Sequence, residues 1–507
     1  GNLIANGQVW VMNPSGVLIG ADATVNTAGF MATSLVMEED DFFAGNYTFK
    51  QDGDGGYVVN RGTIIVQNGG YAVLAGASVV NTGVIQADLG SVVLASGTQA
   101  TVDFDGDGLI NFALGDGQAA QVTGPDGEAL TTAVLNAGQV RANGGRVLMT
   151  AQAAGNILDS VVNNQGVVEA NSVVERNGEI ILLGGDEGLV VNEGTLNVDG
   201  DDAGETAGSV YVKGDKVYEN GTISANAGAG GDAGQVILTS TTLTLAGAES
   251  TITANGAGAN SNGGDVILWS DGDTWFKGAI QANGGDVSGD GGFVEVSGVN
   301  NLAFRGDVQA SAVDGNAGTL LLDPTNIYII DGGGGAEDGQ LSDGQILAGS
   351  GTGTWTISET GLEGIAGNVG IVLEATNNIT VENLSDDTLS LNTTGAKSLT
   401  MTADADNDGG GAITFIGAAS DTVVTQGGDM NFNAGDGMVL ASLNTNGGDV
   451  TANMNNAGTG VANLDLNDIA TDGGDVNVTN AHGVLGTAVG NLLVRGNIDT
   501  SGGSVNL

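Results

Sequence analysis

Apolar and polar positions alternate in short runs along most of the chain, and Gly, Asn or Asp separate the runs. The stretch "NGQVWVMNPSGVLIGADATVNTAG", residues 6–29, shows the unit: an alternating run, an Asn-Pro-Ser-Gly turn, a second run, and a fade into Gly. Period two predicts short strands. The runs also recur. "VVNRGTIIVQNGGYAVLAGAS" at 58–78 is followed directly by "VVNTGVIQADLGSVVLASGTQ" at 79–99, so Asn60 and Gly62 map onto Asn81 and Gly83. Asn-x-Gly returns at Asn164 and Asn192. Farther on, Ile223, Ile252, Ile280 and Val308 recur at a nearly constant spacing, and the strands at Val236, Val266, Val294 and Leu320 keep pace. Gly-Gly pairs at Gly427, Gly447, Gly473 and Gly502 each precede one more alternating strand.

Strands of period two joined by Gly and Asn, with a repeat of about 21–30 residues, predict an all-β chain folded as a parallel β-helix, a solenoid of stacked coils. A propeller blade needs about 40 residues or more. A β-sandwich is the alternative, but it gives no reason for self-similarity at a fixed long period. In a stacked coil every second side chain enters a shared apolar column, so Ile223 and Ala225, or Val266 and Leu268, are expected in the core. Corners that need positive φ take Gly or Asn, and stacked Asn amides are expected to form ladders along the axis. A stack of such coils has a long lateral surface and no obvious pocket.

Two stretches break the alternation. Residues 31–49, with Glu38, Glu39, Asp40 and Asp41 followed by Phe42 and Phe43, predict a short helical turn or excursion outside the coil, its acidic run a solvated face. Residues 323–366 predict an irregular connection, with Ser342 and Ser358 as N-caps of short helices. These breaks divide the chain into 1–56, continuous with the solenoid, a repeat region 57–322, the connection 323–366, and a second solenoid section 367–507. The pattern is already running at Gly1 and still running at Leu507, so the sequence reads as a segment of a longer protein.

Composition narrows the function. Sixty acidic residues against eleven Lys and Arg give a net charge of −49, which argues against nucleic acid and anionic membranes as partners. With no Cys there is no disulfide framework and no thiolate metal site. One His, His482, leaves little room for imidazole chemistry. No apolar run is long enough to span a bilayer as a helix. Gly is abundant at 91 residues, yet without a strict Gly-x-y period, so collagen is excluded.

"ANGQVWVMNPSGVLIGADATVNTAGFMATSL" followed by "EEDDFFAGNYTF" resembles the haemagglutination-activity region of the filamentous haemagglutinin family, large exoproteins of two-partner secretion in Gram-negative bacteria. "VDFDGDGLINFAL" and "GTLLLDPTNIYI" are similar to passages that recur in that family. The resemblance implies a right-handed parallel β-helix, residues 1–56 as the C-terminal half of a secretion domain, and an outer-membrane transporter as partner. It also implies that Asn13, Pro14, Ser15 and Gly16 are the turn tied to secretion, although the family motif has Asn where Ser15 stands. Pro14 presets φ for such a turn and Ser15 is acceptable after it. The bland alternative for these four residues is a tight turn between stacked strands.

Chemical sites are sparse. "DFDGDGLIN" places Asp103, Asp105 and Asp107 at alternate positions, then Gly108, with Asn111 beyond, like the first half of an oxygen-ligand calcium loop. Leu114 stands where the bidentate Glu would be, and an acidic surface corner is the alternative. Asp404, Asp406 and Asp408 form a second, sparser calcium candidate. β-helices also host polysaccharide lyases and glycosidases, but the few basic residues are scattered and no compact Asp/Arg/Lys set is visible, so no catalytic residue is assigned. Trp269, Trp275 and Phe276 could stack on sugars or pack into the coil. The expected function is a secreted, surface-associated β-helical exoprotein acting in adhesion or extracellular scaffolding. Its partners would be host, surface or matrix glycans or proteins. A filament subunit, self-associating end to end or laterally, is the alternative.

Overall fold

The computed structural model describes residues 1–103, 111–114, 122–152, 160–173, 176–322, 326–332, 356–364, 370–375, 377–394, 397–404, 411–456, 463–482 and 491–507. The chain is a right-handed parallel β-helix. It divides into two compact units, residues 1–267 with 285–289 and residues 268–284 with 290–507. The line between these units falls inside the strand Asp265–Ser270.

In the first unit each full coil contributes three strands. Ser78–Asn81, Val84–Gln86 and Ser91–Ser96 make one coil, and Thr132–Asn136, Gln139–Arg141 and Arg146–Ala151 make the next. Equivalent strands pair in parallel, Val79 opposite Val134, Ile85 opposite Val140 and Val92 opposite Val147. The offset between the runs at 58–78 and 79–99 is a true register, with Asn60 opposite Asn81. Ile223 stacks between Leu196 and Ile252. Alternate residues are fully buried, as in Glu179–Leu183, where Ile180 and Leu182 point inward.

Corners are as tight as the Asn-x-Gly motif implies. A Cβ on Gly83 would lie 2.1 Å from the Gly62 carbonyl oxygen, so only Gly lets successive corners stack. Beside these glycines the amides form the expected ladder. Asn60, Asn81, Asn136 and Asn164 each donate through Nδ2 to the Oδ1 of the next Asn at 2.8 Å, ending at Asn192. Asn192 donates to both oxygens of Glu219, at 3.0 and 2.9 Å.

The strands Tyr71–Gly76 and Ser91–Ser96 of this unit are buried along their whole length. The reason is an antiparallel sheet outside the coil, formed by Thr48–Lys50, Gln99–Asp103 and Asn111–Leu114. It puts Phe49, Ala100 and Val102 against Met31, Val73, Val93 and Leu148. The excursion expected at 31–49 starts later than the alternation suggests. Gly29–Thr33 is still a coil strand, every residue of it buried, because both its faces are covered. The helix Glu39–Ala44 then carries Glu39, Asp40 and Asp41 in its first turn, where negative charge suits the helix dipole.

The second unit repeats the three-strand coil: Leu399–Ala403, Ala412–Phe415 and Thr422–Val424 stack on Met430–Ala434, Gly437–Val439 and Ser442–Asn444. The residues 323–366 are not wholly irregular. Ile327–Ile330 and Thr356–Ser358 are coil strands paired in parallel, and Leu320 pairs directly with Ile371. Ser358 caps the helix Glu359–Glu363 by accepting from Gly361 N at 3.1 Å. Ser342 lies outside the described residues. Trp269 faces outward and donates to Asp271 at 3.1 Å, whereas Trp275 and Phe276 are buried and Phe276 packs on Phe304 at 5.4 Å between ring centres.

Candidate functional site

The turn Asn13–Gly16 joins the strands Gln8–Met12 and Val17–Ile19. Asn13 closes it twice. Its carbonyl accepts from Gly16 N at 2.9 Å, and its side-chain oxygen accepts from Ser15 N at 3.2 Å, an Asx turn. Its own N–H is tied to the Thr33 carbonyl of the next coil at 3.0 Å. Gly16 has φ of 115°, a conformation that L residues resist, and a Cβ there would press on the Tyr57 ring at 3.0 Å. Gly56 packs so closely that its Cβ would lie 2.4 Å from the Pro14 carbonyl. The geometry thus depends on Asn13 and Gly16, while Ser15 contributes its backbone. Substitution of the motif's third residue leaves the turn intact. Asn13, Pro14 and Ser15 are exposed, so the turn is both a structural joint and an accessible surface.

The strand leading into the turn is anchored by Trp10. Its Nε1 donates to the Tyr71 hydroxyl at 2.7 Å, which donates to Gln8 at 3.1 Å. Burial holds the Tyr71 phenol above its ordinary pKa, opposed by the Trp10 hydrogen bond. The Trp10 ring meets Phe42, Tyr47 and Phe49 edge-on at 5.9, 5.5 and 6.1 Å. Phe49 and Tyr47 belong to the outer excursion, so the turn and the antiparallel sheet are parts of one assembly. Sequence reasoning placed the turn but missed this cover. The signal available was the pair of runs "YAVLAG" and "SVVLAS", apolar or small at every position, as strands buried on both faces are.

Two residues of the first calcium candidate belong to the same sheet. Asp103 and Asn111 stand opposite each other in antiparallel register, while Asp105 and Asp107 lie outside the described residues. Asp404 is buried with φ of 69°; Asp406 and Asp408 also lie outside them. Among the described residues no group of three or more His, Cys, Asp or Glu side chains is placed to hold a metal ion.

A parallel β-helix whose first coils bear an exposed Asx turn and an external antiparallel sheet belongs to the β-solenoid class. Residues 1–198 match the TPS secretion domain, a little over a third of the chain. Two heme/hemopexin-binding proteins of Haemophilus influenzae are similar to it. One is 35% identical over 194 residues, which is 37% of this chain and 20% of that protein. The other is 30% identical over 205 residues, 36% of this chain and 20% of that protein. The chain thus spans about a fifth of the length of these relatives. The crystal structure of the HMW1 secretion domain from Haemophilus influenzae is 29% identical, with a TM-score of 0.48, covering 64% of this chain and 82% of that one.

Proposed function

We propose that the chain is part of a secreted, surface-associated β-helical exoprotein of a Gram-negative bacterium, exported through a dedicated outer-membrane transporter and working in adhesion or extracellular scaffolding. The observation that carries this reading is the match of residues 1–198 to a secretion domain, over the coils that hold the exposed Asn13–Gly16 turn. The ligand in the relatives' names is not carried over, because the similarity lies in about a fifth of their length. No catalytic step is assigned.

Asn13→Ala tests how the turn works. Co-expressed with its transporter, the variant is expected to stay folded, with melting within about 2 kcal/mol of the parent, but to be retained in the periplasm. Retention of an unfolded protein would instead make the turn a purely structural joint. Normal export would remove Asn13 from recognition altogether. Calcium at Asp103, Asp105, Asp107 and Asn111 belongs to the same reading as a proposal. Calorimetric titration of the full chain and of Asp105→Ala checks it, and a parent without calcium heat or calcium-dependent melting sinks it.

A further inference from the structure

The outer face of the second unit changes character at Leu399. In Leu399–Ala403, Met430–Ala434 and Val450–Asn456 the inward positions are buried Leu, Met, Phe, Val and Ala. The outward positions are Thr400 and Thr402, Asn431 and Asn433, Thr451 and Asn453, followed by Asn477, Thr479 and Asn506. Register aligns them in two ranks along the axis. One runs through Thr400, Asn431, Thr451, Asn477 and Asn506, the other through Thr402, Asn433, Asn453 and Thr479. Every one of these side chains is at least partly exposed. None is ionisable, on a chain with a net charge of −49. In the first unit, by contrast, outward strand positions carry charge: Arg146 pairs with Glu179 and Lys213 is exposed.

We propose that this Asn/Thr face is a binding surface for an extended neutral polysaccharide, specifically a β-1,4-linked glucan lying along the coil axis. The inference rests on the exoprotein reading above and names its ligand class. Three observations carry it. The ranks offer both donors and acceptors. Asn433 donates to Thr402 at 3.3 Å, Asn453 to Asn433 at 3.2 Å and Asn506 to Asn477 at 3.3 Å. Each amide Nδ2 has a second N–H, and each Thr a hydroxyl, for an outside partner. The groups repeat once per coil, about 4.8 Å, close to the rise per sugar of an extended β-1,4-linked chain, whose sugars alternate in orientation, so like-oriented sugars meet the same contacts at every second coil. Finally, one border of the face is a column of carboxylates: Asp429 Oδ1 accepts from Asp449 N at 2.8 Å, Asp449 Oδ1 from Asp475 N at 2.7 Å, and Asp475 Oδ1 from Ser504 N at 2.7 Å. Such a border repels a polyanion and leaves a neutral chain unaffected.

Native affinity electrophoresis of the purified full chain tests it, with hydroxyethyl cellulose as the neutral probe and alginate as the anionic one. Mobility is referred to a probe-free gel. The parent is expected to be retarded by the glucan and not by alginate. Asn433→Asp with Asn453→Asp, which puts two carboxylates on the face, should weaken retardation about tenfold or more. Thr451→Val with Thr479→Val keeps shape and strand propensity while removing two hydroxyls, and should weaken it in the same direction. Circular dichroism melting confirms that both variants are folded. The proposal is overturned by a parent that ignores the glucan, by equal retardation in alginate, or by folded variants that behave as the parent. Because the assay uses purified protein, a negative result removes the ligand and leaves the export reading standing. Failure of export removes that reading and leaves the binding result.

Discussion

At the residue scale the Asn ladder contains the most consequential side chain. Each Asn of the ladder donates to the next coil, so the last needs an acceptor there, and the Glu219 carboxyl oxygens supply it. Glu219 is 1% exposed, accepts from Asn192 and from Gly221 N at 2.8 Å, and faces Ala246 in the following coil. Burial pushes its pKa up to about 8 against those hydrogen bonds. The neighbouring titratable groups at this corner are Tyr218 on the same strand, Glu193 before it and Glu249 after it. A raised carboxyl pKa means that the folded chain holds a proton which the unfolded chain releases. Glu219 therefore lowers stability as pH rises from about 4.5 to about 8, by up to about 1.4 kcal/mol per unit. Glu219→Gln should flatten that slope in urea unfolding between about pH 5 and about pH 8; parallel slopes for the two proteins would refute it. Asn136→Ala, which strands the Asn81 donor and the Asn164 acceptor, should cost about 2–4 kcal/mol at any pH in this range. The ladder was legible in the sequence because Asn-x-Gly repeats at the coil period. Its terminus was not, since nothing in "YENGT" distinguishes a buried Glu from a surface one.

At the scale of elements, the coil strands were legible and their cover was not. Alternation identifies a strand with one wet face, and that describes Glu179–Leu183 or Met430–Ala434. The external sheet is built from "TFK" and "QATVD", short and half polar, and paired across a long stretch of chain: Phe49 stands opposite Ala100. No local pattern encodes such a partner. The same limit applies to 323–366, where a long interruption hides two coil strands. Phe49 is fully buried between the cover and the coil, and Phe49→Ala should cost about 3–5 kcal/mol. Its effect should be local. Amide exchange should accelerate in Gln99–Asp103 and in the Trp10 strand, while Leu464–Leu466 keeps its protection. Uniform acceleration through the chain would show instead that the cover and the coils open as one cooperative body.

For the whole molecule, repetition fixes where charge goes. Stacking in register turns each acidic position of the repeat into a column, as with Asp429, Asp449 and Asp475, and the sequence supplies only eleven Lys and Arg to answer sixty Asp and Glu. Some columns are neutralised laterally between coils, by Arg141 on Asp88 at 2.9 Å and Arg495 on Asp465 at 2.6 Å, the latter keeping the Arg495 guanidinium above its ordinary pKa. Others are answered by neutral donors: the Ser504 N–H, with the Ser504 side chain, holds the partly exposed Asp475 carboxyl below its usual range. The uncompensated remainder repels itself across coils only about 4.8 Å apart, and this repulsion is long-ranged at low salt. Raising NaCl from about 0.01 M to about 1 M shortens the Debye length from about 30 Å to about 3 Å. Folding at neutral pH should therefore become more favourable across that range, with the steepest gain at the low end. Apolar burial strengthens less steeply with NaCl, so the shape of the curve separates the two causes. A melting temperature flat below about 0.15 M, where the Debye length is already about 8 Å, would mean that the stacked carboxylates are held by their backbone donors and that net charge does not limit the fold.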